Sequence, residues 1–194
     1  MERIKTIAFC GIDGSGKSTQ LKLVKENISQ QKNVLIAKLP YSPLNSLSNN
    51  PINNLLLEGR SGLEILKYYL TLQGKEGQKY DYILYDRHML CYLAYAYAYG
   101  IENIELVRKV LKVVKDPDLT FYFDINPELA MQRIITRQQG INKHENIETL
   151  TKVTEGYHKG LSLFPNVEII KAEQNIEKTQ SQIKKILKKN NIVF

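Results

Sequence analysis

Residues 11–20 read GIDGSGKSTQ, and the first eight of them fit G-x-x-x-x-G-K-[ST] at every fixed position. The glycines of this pattern let the backbone fold around a phosphate group with its N–H groups pointing inward. Lys17 offers a positive charge to the β- and γ-phosphates of a nucleotide, and Ser18 offers a hydroxyl to Mg²⁺. Because an apolar strand pattern precedes the stretch and a helical pattern follows it, the stretch is predicted to bind phosphates.

Strand and helix patterns alternate along the rest of the chain. The predicted strands are residues 6–10, 33–39, 82–85, 119–125 and 167–171. The predicted helices are residues 17–29, 55–73 (as one or two helices), 88–99, 102–115, 127–138, 147–159 and the basic segment after the last strand. The alternation predicts an α/β fold with a mostly parallel sheet and helices on both faces. With no repeat or linker to divide it, the chain is expected to form a single domain over residues 1–194.

The bulk composition is that of an ordinary globular protein, with 43% hydrophobic and 24% charged residues. No apolar run approaches the roughly 20 residues that span a bilayer, so no membrane association is expected. The first ten residues run straight into the phosphate-binding stretch, so no signal peptide is expected. Cys10 and Cys91, the only cysteines, lie far apart in the sequence. They are predicted to be buried thiols in a reducing cytoplasm.

The net charge of +7 is concentrated near the C-terminus, in the segment QIKKILKKNN. This segment could form a nucleic-acid patch, but it fits an amphipathic helix with solvated lysines more simply. The residues expected to face inward are Ile183, Ile186 and Leu187. No nucleic-acid partner is therefore predicted.

Asp13 is unusual within a phosphate-binding stretch, because a carboxylate there repels the nucleotide. It is expected to point away from the phosphates. The residues alone leave two roles open: a hydrogen bond to a hydroxyl-bearing acceptor on the opposite side, or an acidic cap for the loop backbone.

A second acid, Asp86, lies in the segment YILYDRH, residues 82–88, just beyond an apolar strand. In a parallel sheet this position falls at the carboxyl edge, beside the phosphate-binding stretch. Asp86 can hold Mg²⁺ there through water, and Arg87 can neutralise a transferring phosphoryl group. An Asp-Arg pair after a strand can equally be a helix cap with an ion-pair partner.

Four stretches together resemble the thymidylate kinase family of nucleoside monophosphate kinases. They are GIDGSGKSTQ (11–20), YDRH (85–88), PDLTFYFDINPELAMQRIITR (117–137) and EGYHKGLSLFPNVEII (155–170). The resemblance implies a P-loop kinase fold, a three-layer sandwich around a five-stranded parallel sheet. It also implies Mg²⁺ with ATP as phosphoryl donor, a short lid near residues 137–146, small nucleotides as partners and a homodimer.

The resemblance also implies roles for individual residues. Asp13 matches the carboxylate that holds the acceptor sugar hydroxyl, and Asp86 with Arg87 matches the motif that supports metal and phosphates. Arg133 and Arg137, one turn apart and facing the same way, belong to the helix that leads to the lid. Because Gly14 occupies the place where some members carry a catalytic arginine, Arg137 is expected to supply that charge.

These considerations predict three overlapping groups of site residues. The predicted catalytic residues are Asp13, Lys17, Asp86, Arg87 and Arg137. The predicted ATP-binding residues are Gly11, Ile12, Asp13, Gly14, Ser15, Gly16, Lys17, Ser18, Thr19 and Arg133, with Ser18 and Asp86 as metal ligands. The predicted acceptor-binding residues are Asp13, Lys38, Tyr69, Arg87, Tyr92 and Tyr95.

The residues expected to bind the acceptor depart from the pattern of the thymidylate kinase family. Lys38 stands where the family carries a phosphate-gripping arginine, and lysine keeps the charge without the bidentate fork. Ala96 replaces a base-reading glutamine. Tyr68 or Tyr69 could stack on the base in place of the family's aromatic residue, whereas tyrosines at helical spacing, such as Tyr92 and Tyr95, are more often core or dimer contacts.

The predicted function is transfer of the ATP γ-phosphate to dTMP. The alternatives are a related P-loop kinase with another nucleotide, nucleoside or small-molecule acceptor, and a non-catalytic nucleotide-binding paralogue. Nucleoside kinases usually place a base-reading acid after the second strand, and the segment KLPYSP, residues 38–43, contains none.

Overall fold

The computed structural model describes residues 3–38, 67, 69–72, 74, 77–100, 103–112, 114–137, 140–142 and 145–192. Five parallel strands form one sheet in the order β2-β3-β1-β4-β5. The strands are β1 Lys5–Cys10, β2 Val34–Lys38, β3 Tyr82–Asp86, β4 Leu119–Asp124 and β5 Val167–Lys171. The helices are α1 Lys17–Ile28, α2 Met89–Ala98, α3 Ile104–Leu111, α4 Pro127–Thr136, α5 Ile147–Gly160 and α6 Ile176–Lys189. The predicted five-stranded parallel sheet is confirmed.

The three central strands are buried without interruption over residues 7–10, 82–85 and 119–123. Successive side chains of a strand point to opposite faces, so continuous burial requires cover on both faces. Helix α1 packs on β1, β2 and β3 and also contacts α6, whereas α2 contacts α3 and α5. The sheet therefore lies between helical layers, as the sequence predicts.

Three helices begin at an asparagine whose side-chain oxygen accepts backbone N–H groups of the first turn. Asn126 accepts from Glu128 and Leu129, at 2.8 and 3.3 Å, and Pro127 follows it at the first helical position. Asn146 caps α5 and Asn175 caps α6 in the same way, each at 2.9 Å. These caps fix where α4 and α5 start, and hence which residues lie between them.

The C-terminal helix α6 is amphipathic, as predicted. Ile183 and Leu187 are fully buried and Ile186 is half-buried. Its lysines at positions 184, 185, 188 and 189 are exposed. Burial of this apolar stripe explains the position of the helix against β5 and α1.

Helices α2 and α5 pack very closely. A Cβ atom added to Gly156 of α5 would lie 2.5 Å from the carbonyl oxygen of Ala94 in α2. Only glycine permits this approach, which presses α5 against the segment that follows Arg87. The next residue of α5, Tyr157, therefore reaches the start of the phosphate-binding stretch.

The main differences from the predicted elements are at helix ends. The predicted helix over residues 102–115 is shorter, since α3 ends at Leu111 before the segment that leads to Pro117. The predicted loop at 42–54 and most of the predicted helix at 55–73, including Tyr68, lie outside the described residues. Across the described ranges, no helix has the length and apolar character to cross a membrane.

Candidate active site

The phosphate-binding stretch forms a loop between β1 and α1. Three of its glycines have positive φ angles: 152° at Gly11, 79° at Gly14 and 83° at Gly16. Gly16 caps α1 in the left-handed conformation, so no side chain covers the N-terminal N–H groups of the helix. Those groups and the helix dipole create a site for an anion.

Lys17 is buried at the base of this loop. Its Nζ lies 3.2 Å from the carbonyl oxygen of Ile12 and 3.3 Å from Oδ1 of Asp13. Burial, and then the positive charge of Arg87, lower the pKa of Lys17 from its usual value. The folded protein thus holds a desolvated cation here, and bound phosphate groups would stabilise its charge.

Asp13 points out of the loop towards the segment after β3. Its Oδ1 accepts from Nη2 of Arg87 at 2.5 Å, and its Oδ2 lies 3.5 Å from the hydroxyl of Tyr95. Burial opposes ionisation of Asp13, but the charges of Lys17 and Arg87 outweigh it and hold its pKa well below the usual range. In the hydrogen bonds described, this side chain pairs with side chains and not with the loop backbone, which argues against the backbone-cap role.

Arg87 adopts a φ angle of 75°, a conformation that costs a non-glycine residue on the order of 1–3 kcal/mol. Its backbone is tied on both sides, because its N–H donates to Phe9 and its carbonyl accepts from the hydroxyl of Tyr69. The guanidinium contacts the Gly11 carbonyl at 3.4 Å and the Tyr95 hydroxyl at 3.3 Å. The strained backbone therefore aims Arg87 at the mouth of the phosphate loop.

Asp86 ends β3, directly opposite Phe9 of β1 in the parallel register. Burial and the charge of Arg87 lower the pKa of Lys17, and the negative charge of Asp86 partly opposes them. Asp86 therefore lies within electrostatic range of the loop. Ser18 is exposed in the first turn of α1. The structure thus brings Asp86, Ser18 and Lys17 to the same edge of the sheet.

Gly14 lies against α4 with no room for a side chain. A Cβ atom added there would lie 2.3 Å from the carbonyl oxygen of Ala130. Any other residue would force the loop and the helix apart, and the φ angle of 79° also disfavours it. An arginine at position 14 is therefore sterically excluded in this structure.

Arg133 and Arg137 have different partners, although the sequence places them one turn apart. Arg133 donates to the carbonyl oxygens of Ala172 and Glu173, at 2.8 and 3.3 Å. Arg137 instead donates to Glu145 and contributes to the low pKa of Asp13. Arg137 is the C-cap residue of α4, which ends at Thr136.

The acceptor-side residues are only partly assembled. Lys38 is exposed at the end of β2, paired in register with Asp86. Tyr69 is fully buried, with its ring against Tyr85 and His88 at centroid distances of 5.3 and 4.8 Å. It presents no open face for stacking on a base in this conformation and instead supports Arg87 through its hydroxyl.

The two remaining predicted tyrosines lie on α2. Tyr95 contacts Arg87 and Asp13 directly, and the Arg87 guanidinium lies 5.3 Å from its ring centroid. Tyr92 is half-buried against the core. Of the two, Tyr95 is the one that the structure brings into the Asp13 cluster.

Tyr157 is a site residue that the sequence patterns do not reveal. Its hydroxyl accepts the N–H of Gly11 at 3.1 Å although the two residues are 146 positions apart. Its ring is fully buried and packs on Tyr122, with the centroids 4.9 Å apart. Cys10 and Cys91 lie beside it as free, hydrogen-bonded thiols, which confirms that both are buried.

Replacing Tyr157 by phenylalanine is expected to leave the buried Gly11 N–H without its acceptor. An unsatisfied buried donor lowers the free energy of unfolding by about 1–3 kcal/mol. For a chain of this size, each kcal/mol lost lowers Tm by about 2–4 °C. Urea denaturation and thermal melts measure the loss. Tyr97→Phe removes the same atom from an exposed contact with Lys159 and should change stability by about 0.5 kcal/mol or less. Equal effects of the two variants would contradict this assignment.

The fold and the loop together define a P-loop nucleotide-binding protein. A family profile described as thymidylate kinase matches residues 9–183. Thymidylate kinases from Thermoanaerobacter sp. (strain X514) and Legionella pneumophila (strain Paris) are 31% and 32% identical. The alignments cover 95% and 94% of this chain and 98% and 93% of those proteins.

The solved structure of a thymidylate kinase from Candida albicans has the same fold. It superposes with a TM-score of 0.72 over 99% of this chain and 94% of its own, at 18% sequence identity. The chain belongs to the thymidylate kinase family. It is accordingly an ATP-dependent phosphotransferase.

Proposed function

We propose that this enzyme transfers the γ-phosphate of ATP to the 5′-phosphate of dTMP, giving dTDP and ADP. The observation that carries the proposal, beyond family membership, is the position of Asp13. Its carboxylate is held by Arg87 and Tyr95 and also lies 3.3 Å from Nζ of Lys17. A carboxylate fixed there by a cation and a hydroxyl can accept a hydrogen bond from a sugar hydroxyl.

The residues would act by positioning and by neutralising charge, with no covalent intermediate. The loop N–H groups and Lys17 hold the β- and γ-phosphates. Arg87, aimed at the mouth of the loop, and Arg137, which is within electrostatic range of Asp13, face the phosphoryl group in transfer. Arg133 would border the ATP site, where its guanidinium joins α4 to the segment after β5.

The residues present fit a Mg²⁺ ion bound with ATP. Ser18 and Asp86 offer oxygen ligands, and Mg²⁺ is commonly bound by one or two protein oxygens together with phosphate oxygens. Within the described residues no group of three acidic, histidine or cysteine side chains forms a metal cage. When bound, the ion would neutralise charge that develops on the transferring phosphate.

The acceptor would lie between Asp13 and the end of β2. Among the described residues, Lys38 and Arg87 would offer cations to its 5′-phosphate, and Tyr95 with Tyr92 would line its pocket. Tyr69 would contribute indirectly, by holding the Arg87 backbone. The lid near residues 137–146, a homodimer and a cytoplasmic location belong to the same proposal, because the family resemblance implies them; light scattering after size exclusion tests the dimer.

A coupled ADP-release assay over nucleosides and nucleoside monophosphates tests the acceptor. We expect dTMP to have the highest kcat/KM, and Mg²⁺ to be required. The Candida albicans protein is described as having broad substrate specificity, so the panel should include purine and other pyrimidine monophosphates. A nucleoside preferred over every monophosphate would contradict the proposal.

Asp13→Asn is expected to damage acceptor use selectively. The amide keeps an acceptor atom for the sugar hydroxyl but loses the charge that pairs with Arg87. We expect KM for dTMP to rise and kcat to fall, while ATP affinity stays unchanged or improves because a negative charge leaves the loop. Steady-state kinetics with ATP and dTMP varied separately measure both effects.

A dTMP analogue that lacks the 3′-hydroxyl serves as the control. It should already be a poor substrate for the wild type, and Asp13→Asn should cost it little more, as in a double-mutant cycle with the ligand as one partner. Equal losses with both acceptors would mean that Asp13 only shapes the loop.

A further inference from the structure

We propose that Glu145 is a positioning residue that orients Arg137 for phosphoryl transfer. This inference rests on the proposed function and adds to it a residue in the segment between α4 and α5. Both carboxylate oxygens of Glu145 accept from the same nitrogen of Arg137, Nη2, at 2.6 and 2.7 Å. The Glu145 side chain is 3% exposed and that of Arg137 is 30% exposed. The carboxylate is thus the buried partner, and the arginine reaches towards solvent.

The geometry of this pair leaves donors of Arg137 for another anion. Neither hydrogen bond to Glu145 uses Nε or Nη1. Nε is buried and has no hydrogen-bond partner among the described residues. A buried donor without a partner is costly unless a ligand satisfies it. Nε and Nη1 are therefore the donors that remain for an anion, and the charge of Arg137 also helps to keep the pKa of Asp13 in the phosphate loop low.

Glu145 is itself held rigidly, as a positioning residue needs to be. Its Oε2 accepts the backbone N–H of Asn142 at 2.7 Å, and its own N–H donates to the Asn142 carbonyl at 2.9 Å. The following residue, Asn146, caps α5. Arg137 comes directly after α4, at its C-cap, so without Glu145 its side chain would have no fixed direction from the helix.

The pair could instead be only an ion pair that closes the segment between the two helices. The two roles differ in what they predict for kinetics and stability. A purely structural pair would lower Tm and affect substrate binding, whereas a positioning role lowers kcat with little change in KM for ATP.

The test is a double-mutant cycle of Glu145→Ala and Arg137→Ala with dTMP as acceptor. We expect Glu145→Ala to lower kcat on the order of 10-fold to 10²-fold in the wild-type background, as a misplaced catalytic group does. In the Arg137→Ala background it should have almost no further effect on kcat. Glu145→Gln, which retains the shape of the side chain and one acceptor oxygen, should lose less. If the alanine variant folds poorly, the double-mutant cycle can be measured with Glu145→Gln in its place.

Chemical rescue of kcat provides a second readout, which would not depend on Glu145 if the ion pair were only structural. Guanidinium chloride at low, non-denaturing concentration should restore part of the kcat of Arg137→Ala, because Glu145 can bind the free guanidinium. The double variant should show no rescue.

Glu148→Ala is the matched control, since it removes an exposed carboxylate three residues after Glu145, together with its ion pair with Lys152. It should leave kcat unchanged. Equal losses from Glu145→Ala in both backgrounds, or equal rescue with and without Glu145, would overturn the proposal. A wild type that does not phosphorylate dTMP would instead contradict the proposed function, so the two failures can be told apart.

Discussion

Lys17→Ala is expected to abolish phosphoryl transfer, with kcat lower by about 10³-fold or more, and to weaken ATP binding. Lys17 is the only cation built into the phosphate loop, and its Nζ already lies among the loop carbonyl and carboxylate oxygens. Alanine at position 17 removes the positive charge that would contact the γ-phosphate while negative charge redistributes on that group during transfer. Steady-state kinetics and ATP titration by calorimetry measure the two losses.

The same substitution is not expected to unfold the protein. Burial and the charge of Arg87 lower the pKa of Lys17, so its charged form is disfavoured in the folded state relative to water. Lys22→Ala is the matched control, because it removes an exposed lysine from the same helix. Turnover close to wild type in the Lys17 variant would contradict a kinase that works through this loop.

Arg137→Ala is expected to lower kcat on the order of 10²–10³-fold while changing KM for ATP much less. The reason is that an interaction made mainly in the transition state contributes to rate and little to ground-state binding. Arg3→Ala, which removes an exposed arginine on the surface, is the control. Unchanged kcat with every acceptor would make Arg137 a surface residue.

An arginine placed in the loop should not compensate. Gly14→Arg is expected to fail to restore activity to Arg137→Ala, because its Cβ would collide with the Ala130 carbonyl. The variant should also have a lower Tm than the wild type, since the loop and α4 must separate. Recovery of kcat in the double variant would show that the loop and helix are not rigidly packed.

The fold could be predicted because its signals are local. The phosphate loop is an eight-residue pattern, and the three central strands are apolar runs that the fold buries. The Asn caps, by contrast, are visible in the sequence only once the helix starts are known. The helix that contains Arg133 is predicted to run to about residue 138, and in the structure α4 ends at Thr136, just before Arg137.

The site could be predicted only where its residues belong to such local patterns. Tyr157 and Glu145 contribute through contacts that depend on how α5 packs, and no spacing in the sequence brings Tyr157 to Gly11. Tyr69 looks like an open aromatic residue in the sequence, but the fold buries it under Arg87. The acceptor half stays the least predictable part, because its residues come from several segments with no shared periodicity.

³¹P NMR of ATP, Mg²⁺ and dTMP incubated with the enzyme distinguishes transfer to the nucleotide from transfer to water. We expect the dTMP resonance to decline while the two resonances of dTDP appear together with those of ADP, in equal amounts. The Lys17→Ala variant should leave the spectrum unchanged. Conversion of ATP to ADP and inorganic phosphate with dTMP intact would contradict the account, because the terminal phosphate would then pass to water and not to the nucleotide.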